Sequence, residues 1–125
     1  MKRILLVDDH QLAREALKLF LEMQGYLVEE AENGAEGWAR IEQENSFDLV
    51  ISDNQMPVMT GMEFIQQLSQ RSYSSTHPVI LYTGNLTSEL EQQARDFGVS
   101  AVLSKPYNFS LLLTVVRQAC ENPKA

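Results

Sequence analysis

Phe47-Asp48-Leu49-Val50-Ile51-Ser52-Asp53-Asn54-Gln55-Met56-Pro57 is the stretch from which the fold can be read. Leu49, Val50 and Ile51 form an unbroken apolar run, too short for a helix and too continuous for a strand wetted on one face. Such a run predicts a central parallel strand covered on both sides, here over residues 47–52. Asp53 follows as a single carboxylate at the C-terminal tip. Met56-Pro57 then turns the chain, because the residue before a proline is pushed out of the helical region. Open α/β sheets gather their chemistry outside the carboxyl ends of their strands, so Asp53 stands where a site is expected.

Outward from this strand, four more apolar runs recur with helical material between them. Ile4 to Val7 is the first strand, and Leu12, Ala16, Leu17, Phe20 and Met23 mark one face of the helix that Gly25 closes. Residues 27–31 form a more polar strand suited to a sheet edge. Asn33-Gly34 leads into a helix carrying Ala35, Trp38, Ala39 and Ile41. Beyond the central strand, Gly61 precedes a helix with Phe64, Ile65 and Leu68, and a polar loop runs from Arg71 to His77. Residues 78–82 are the fourth strand, ending at Thr83-Gly84. Ser88 and Glu91 predict a capping box for the next helix, whose Leu90, Ala94 and Phe97 give a narrow stripe ended by Gly98. Ala101-Val102-Leu103 is the fifth strand, and Asn108 caps a last helix from 109 to about 120.

Strands alternating with helices predict a parallel sheet with right-handed crossovers. Five units in 125 residues fit one α/β domain, a doubly wound five-stranded parallel sheet in the flavodoxin-like order 2-1-3-4-5 with helices on both faces. The domain is expected over residues 1–121, with 122–125 a flexible C-terminal tail. Seventeen acids against ten bases, a formal charge of −7, argue against binding nucleic acid or an anionic membrane, which needs clustered Lys and Arg. The single Cys120 excludes an internal disulfide and predicts an inert, partly buried thiol. No apolar run reaches the roughly twenty residues that span a bilayer, and Ile4 to Val7 is too short for a signal peptide. A soluble, cytoplasmic domain is the expectation.

In the predicted order, Asp8 and Asp9 on the first strand converge with Asp53 on the third. Two carboxylates ~5 Å apart repel by roughly 3 kcal/mol at an effective dielectric near 20. Three together ask for a counter-charge, which Lys105 at the tip of the fifth strand and a divalent cation would supply. An all-oxygen donor set points to Mg²⁺ or Mn²⁺. Such a site suits phosphoryl transfer onto Asp53 as nucleophile, with Thr83 placed to bond a phosphoryl oxygen only when phosphate is present. Taken singly, Asp8-Asp9 reads as a helix cap, Thr83-Gly84 as a turn and Lys105 as a solvated lysine. Only their joint placement reverses those readings. His10 is expected as a loop or first-turn residue rather than a metal ligand, His77 carries no assignment, and Trp38 is expected in the core.

Asp8-Asp9, Asp53-x-x-Met56-Pro57-x-x-x-Gly61, Thr83-Gly84 and Lys105-Pro106, each at a strand end, resemble the receiver domain of two-component response regulators. The resemblance covers residues 1 to about 121. It implies phosphotransfer from a histidine kinase or histidine phosphotransfer protein to Asp53. It also implies Mg²⁺ held by Asp9, Asp53 and the backbone carbonyl of Gln55, with Asp8 acting through water. Lys105 would contact the phosphate, and Lys105-Pro106 would be a cis peptide. Thr60 replaces an acid common before the glycine, with little consequence expected. Val102 stands where the family commonly carries an aromatic that turns inward with the threonine. Gln55 and Asn85 fall where side chains tune dephosphorylation.

The implied function is a phosphorelay module, not an enzyme beyond self-phosphorylation from small phosphodonors and self-dephosphorylation. Its output would pass to a downstream protein or a homodimer through the surface of the fourth and fifth helices. Leu111, Leu112 and Leu113 are too closely spaced for all to face the sheet, which predicts an exposed apolar patch there, beside an inward face of Val115, Val116 and Ala119. Two other classes compete. A phosphohydrolase of the aspartyl-phosphate type would want a second acid at position 10, which is His. A pseudo-receiver binding module would not need the acids, Thr83 and Lys105 together. Neither a DNA-binding helix pair nor a catalytic motif is seen after the domain, which leaves open a stand-alone receiver or part of a larger regulator.

Overall fold

The computed structural model describes residues 1–44, 46–106 and 108–121; the tail expected over 122–125 lies outside them. Among the described residues ten elements alternate: β1 (Arg3–Val7), α1 (Gln11–Met23), β2 (Leu27–Ala31), α2 (Gly34–Glu44), β3 (Leu49–Asp53), α3 (Gly61–Gln70), β4 (Val79–Thr83), α4 (Ser88–Asp96), β5 (Ala101–Ser104) and α5 (Phe109–Glu121). All strands pair in parallel in the order β2-β1-β3-β4-β5. This is the doubly wound α/β fold with the predicted order. The central strand begins at Leu49 rather than Phe47, and Asp53 is its last residue.

Side chains alternate across each strand, so the sheet separates two cores. Ile4, Leu6, Leu49, Ile51, Ile80, Tyr82 and Leu103 pack with Leu17 and Leu21 of α1 and Leu112, Val116 and Cys120 of α5. Leu5, Val7, Val50, Val79 and Leu81 pack on the other face with Ile41 of α2, Phe64, Ile65 and Leu68 of α3, and Ala94 of α4. Leu49, Val50 and Ile51 are completely buried. Each contributes about 2 kcal/mol of apolar burial, which holds β3 and the acid at its tip in register.

Several helix faces differ from those read in the sequence. The inward stripe of α1 is Arg14, Leu17 and Leu21, whereas Leu12 and Met23 are exposed. Apolar residues occur on both sides of α1, so periodicity alone did not choose the buried side. On α2 the inward positions are Gly34, Gly37 and Ile41, with Ala35 and Ala39 exposed. A Cβ at Gly34 would lie 2.7 Å from Met59 Sδ and 2.9 Å from Phe64 Cβ, and one at Gly37 would lie 3.1 Å from Val7 Cγ2, so Gly34 lets α2 approach α3 and Gly37 lets it approach β1. Trp38 is half-buried and stacks beneath the Arg71 guanidinium, 4.7 Å from its centroid.

The predicted α4 cap is displaced by one residue. Thr87 is the cap, its Oγ1 accepting from Leu90 N at 3.1 Å, and Ser88 is already helical. The capping box lies on α3 instead: Thr60 Oγ1 accepts from Glu63 N at 3.2 Å and Glu63 Oε1 accepts from Thr60 N at 2.9 Å. Thr60 therefore has a definite role at the place where an acid was noted as missing. Cys120 is buried rather than partly exposed, and burial pushes its thiol up to about 11.

Of the apolar patch expected across α4 and α5, the structure shows the α5 part alone. On α5, Leu112, Val116 and Cys120 face inward, Val115 and Ala119 are half-buried, and the exposed large side chains are Phe109 and Leu111. Leu90 is half-buried, so α4 adds none. The larger exposed apolar surface belongs to α1, where Leu12, Leu19 and Met23 are 81%, 61% and 75% exposed. No helix is long and apolar enough to cross a membrane among the described residues.

Candidate phosphoacceptor and metal site

β1 and β3 are neighbours, with Val7 in register with Ser52, so the loop after β1 opens beside the tip of β3. That loop carries Asp8 and Asp9, and the parity of their strands sends Asp8 and Asp53 to the same side of the sheet. Carboxylate oxygens of Asp8, Asp9 and Asp53 and a ring nitrogen of His10 lie within 4.8 Å of one another. Asp8 and Asp53 are nearly inaccessible, at 2% and 1% exposure.

Backbone and side-chain donors fix the individual groups. His10 N donates to Asp8 Oδ1 at 2.9 Å, and Tyr82 Oη donates to Asp8 Oδ2 at 2.5 Å. Arg14, itself buried, donates through Nη1 to the Asp8 carbonyl at 2.7 Å and through Nε to Glu30 Oε1 at 2.9 Å, fastening the loop to the end of β2. Lys105 Nζ lies 3.3 Å from Asp53 Oδ2, and Gln55 N approaches Asp53 Oδ1 at 3.4 Å. The Lys105-Pro106 peptide is cis. Burial pushes the Asp53 carboxyl above its ordinary range; the Lys105 ammonium pulls it down and the Asp8 charge pushes it up, and burial prevails.

The residues present fit a hard divalent cation. Asp9 belongs to the acidic cluster, and its Oδ1 is buried without a hydrogen-bond partner, a demand that a cation would satisfy. Three carboxylates against one lysine leave uncompensated negative charge, and the donors are chiefly oxygen, as Mg²⁺ prefers. His10 is the residue before α1; its side chain is 76% exposed and its Nδ1 lies 3.9 Å from Asp9 Oδ1.

Thr83 is completely buried on the opposite side of the sheet from Asp53, with Oγ1 accepting from Asn85 N at 3.1 Å. Val102 is half-buried on that same face, in register with Leu81, while Thr83 pairs with Ser104. Gln55 and Asn85 are both exposed at the mouth of the site. A Cβ added at Gly84 would lie 3.8 Å from Gln55 Oε1, so these two loops meet.

Gly61 is required for a reason that spacing alone does not reveal. A Cβ there would stand 2.3 Å from the Asp53 carbonyl oxygen and 2.6 Å from Asn54 Cα, both backbone. Gly61 N in turn donates to Asn54 O at 2.9 Å, and Asn54 Oδ1 accepts from Met62 N at 3.0 Å, so the start of α3 is folded against the acceptor loop. Gly61→Ala is expected to cost about 3 kcal/mol in denaturant unfolding, the scale of overpacking against rigid neighbours. It should also displace the amide resonances of Asp53 and Asn54.

Tyr82 and Arg14 were not read as site residues. Tyr82 lies within the strand expected over 78–82, and the signal for its role is that a buried phenol needs a partner. Arg14 sits among the inward positions of α1, where an arginine also demands one.

The response regulator receiver domain family model matches residues 4–117. The response regulator Rre1 of Synechocystis is 34% identical over 123 residues, covering 98% of this chain and 53% of that protein. The chemotaxis protein CheY4 of Vibrio cholerae superposes with a TM-score of 0.87 at 34% identity, covering 95% of this chain and 98% of that one. The response regulator TrrA of Thermotoga maritima, solved in complex with Mg²⁺-BeF, gives 0.82 at 33% identity, covering 95% and 99%. The chain spans only 13 to 53% of the length of the first curated relatives it matches.

Proposed function

Because this chain belongs to the response regulator receiver family, we propose that it takes a phosphoryl group from a phosphohistidine donor onto Asp53 and passes the change to a partner protein. The observation that carries this reading is the meeting of buried Asp53 with Lys105 Nζ at 3.3 Å and with the acids of the β1 loop. One Asp53 oxygen would attack phosphorus in line with the leaving imidazole nitrogen. An O–P bond forms, the P–N bond breaks, and the imidazole leaves with a proton. Lys105 would neutralise charge on the transferring oxygens.

Asp9, Asp53 and the backbone carbonyl of Gln55 would hold Mg²⁺, with Asp8 acting through water. When bound, the ion supplies positive charge to the phosphoryl oxygens. Thr83 would bond a phosphoryl oxygen after a rotation of its side chain, withdrawing it from Asn85 N. Gln55 and Asn85 at the mouth would set how readily water reaches the phosphoaspartate. With Val102 in place of an aromatic, the signal would travel from Thr83 toward α4 by aliphatic repacking, and the output surface would include α4 and the exposed Leu111 of α5. Self-phosphorylation from small phosphodonors and self-dephosphorylation belong to the same chemistry.

Incubation with acetyl phosphate or phosphoramidate tests the reading. A single adduct of about +80 Da should form with Mg²⁺ and be lost with EDTA. An intact protein that binds Mg²⁺ yet takes no adduct would identify a pseudo-receiver, and sustained hydrolysis of other phosphomonoesters a phosphohydrolase.

The phosphodonor's docking surface is proposed to be the outer face of α1. Leu12, Ala16, Leu19 and Met23 are all exposed and follow a 4-3-4 spacing, the seam of helix against helix. This seam runs beside Lys105 and Pro106, since Ala13 and Ala16 border a common groove with them and Phe109. Glu15 and Glu22 flank it, so a symmetric pairing of two copies would set acid against acid, whereas a helix with a basic edge would match. Leu19→Lys should slow phosphotransfer from a phosphohistidine protein by about tenfold, a hot-spot loss. Acetyl phosphate labelling should be unchanged; equal slowing of both would refute the docking role.

A further inference from the structure

We propose that Tyr82 is a positioning residue of the phosphoacceptor site, holding Asp8 by its hydroxyl and Lys105 by its ring. The inference rests on the reading of Asp8, Asp9 and Asp53 as a Mg²⁺ and phosphoryl site, and assigns that site a member from β4. Tyr82 is in direct register with Asp53 on the neighbouring strand. Their parity places both side chains on the α1 and α5 side of the sheet, together with Asp8. The ring is 1% exposed, so its orientation is imposed by packing.

This one side chain reaches both Asp8 and Lys105. Its hydroxyl donates to Asp8 Oδ2 at 2.5 Å, while the other Asp8 oxygen takes His10 N at 2.9 Å. Each Asp8 oxygen thus has a donor, which sets the plane of the carboxylate and directs its remaining lone pairs. A hydrogen bond to a carboxylate in a three-acid cluster also draws off part of the charge that opposes Asp9 and Asp53. At the other end, the Lys105 ammonium lies 4.8 Å from the ring centroid and 3.3 Å from Asp53 Oδ2. The negative face of the ring attracts the ammonium where it meets Asp53. An aliphatic residue at position 82 would fill the core and supply neither contact.

The alternative is that Tyr82 is a core residue whose hydroxyl merely finds an acceptor. Tyr82→Phe separates the two, because it keeps the packing and removes only the donor. Mg²⁺ binding to the metal-free protein, followed by calorimetry and by the amide shifts of Asp9 and His10, should weaken about tenfold, as when an outer partner of a metal-binding carboxylate is lost. The rate of phosphoramidate labelling at saturating Mg²⁺ should change less than twofold. Tyr82→Leu, which also removes the ring, should weaken Mg²⁺ equally and lower the saturated rate about tenfold.

In an Asp8→Asn background, Tyr82→Phe should cause no further change in Mg²⁺ affinity, since the hydroxyl acts through Asp8. A wild-type Mg²⁺ affinity in folded Tyr82→Phe overturns the proposal, whatever its Tm. Equal saturated rates in Tyr82→Leu and wild type overturn its Lys105 half. Additive effects in the double variant assign Tyr82 to packing and overturn it as well. Wild-type protein that binds no Mg²⁺ removes the underlying reading and the proposal with it, a result distinct from all the others.

Discussion

Asp53→Asn is expected to abolish the +80 Da adduct while raising the stability of the metal-free protein at neutral pH. The amide cannot act as an anionic nucleophile, so labelling by acetyl phosphate should vanish rather than slow. The stability change follows from the burial that raises Asp53 above its ordinary range. A raised carboxyl binds its proton more tightly in the folded state than in the unfolded chain. Its contribution is therefore full below the unfolded value and is lost as pH rises through the folded one. At pH 7 the wild type retains a buried charge that Lys105 only partly compensates, and the asparagine does not.

The gain should be about 1–2 kcal/mol by denaturant unfolding, the scale on which buried ion pairs give way to neutral replacements. It should disappear at a pH low enough to protonate Asp53 in the wild type. Mg²⁺ should reverse the ranking: at a hundred times its Kd it adds about 2.7 kcal/mol to the wild type by linkage and far less to the variant. Equal stabilities with and without Mg²⁺ would contradict the assignment of Asp53 to the metal cluster.

Lys105→Met is expected to slow adduct formation by about 10²–10³-fold, the loss found when a charge-stabilising donor is removed from a transition state. It deletes the ammonium 3.3 Å from Asp53 Oδ2 and keeps much of the aliphatic stem. The ammonium also pulls the Asp53 carboxyl down, so without it that carboxyl rises further. Labelling needs the ionised acid, so the low-pH limb of its pH profile should move to higher pH in the variant. Lys105→Arg restores the charge and should return that limb toward the wild-type position. Its rate should stay low, since a planar fork does not reproduce a compact point charge. An unshifted limb in Lys105→Met would mean that the two groups do not interact in solution.

Much of this architecture was legible because few physical rules were in conflict. Five apolar runs separated by helical segments permit few topologies, and parallel crossovers leave acids at strand tips on one edge of the sheet. Asp8, Asp9, Asp53, Thr83 and Lys105 could each be placed at that edge from strand ends alone. Faces were harder to assign. On α1, Leu12, Leu19 and Met23 competed with Leu17 and Leu21 for the inward side, and a sequence reports periodicity without saying which side meets the sheet. On α2, Gly34 and Gly37 occupy inward positions against Met59, Phe64 and Val7, and a residue without a side chain has no apolar signal. The α4 cap was displaced because Thr87 and Ser88 are both competent caps, and backbone conformation alone distinguishes them.

By itself, the chain of residues determined the parallel sheet, its strand order and the edge at which chemistry-bearing side chains gather. Alternation and run length are local properties, and the handedness of L-residues converts them into a topology. The tertiary structure decided which groups touch. The Tyr82 hydroxyl on Asp8, the Arg14 guanidinium on the Asp8 carbonyl and the Gly61 approach to the Asp53 carbonyl each join different elements of the fold. Such contacts depend on ångström-level distances that arise only when the whole sheet is packed, because close-packed interiors fix each side chain by all of its neighbours at once.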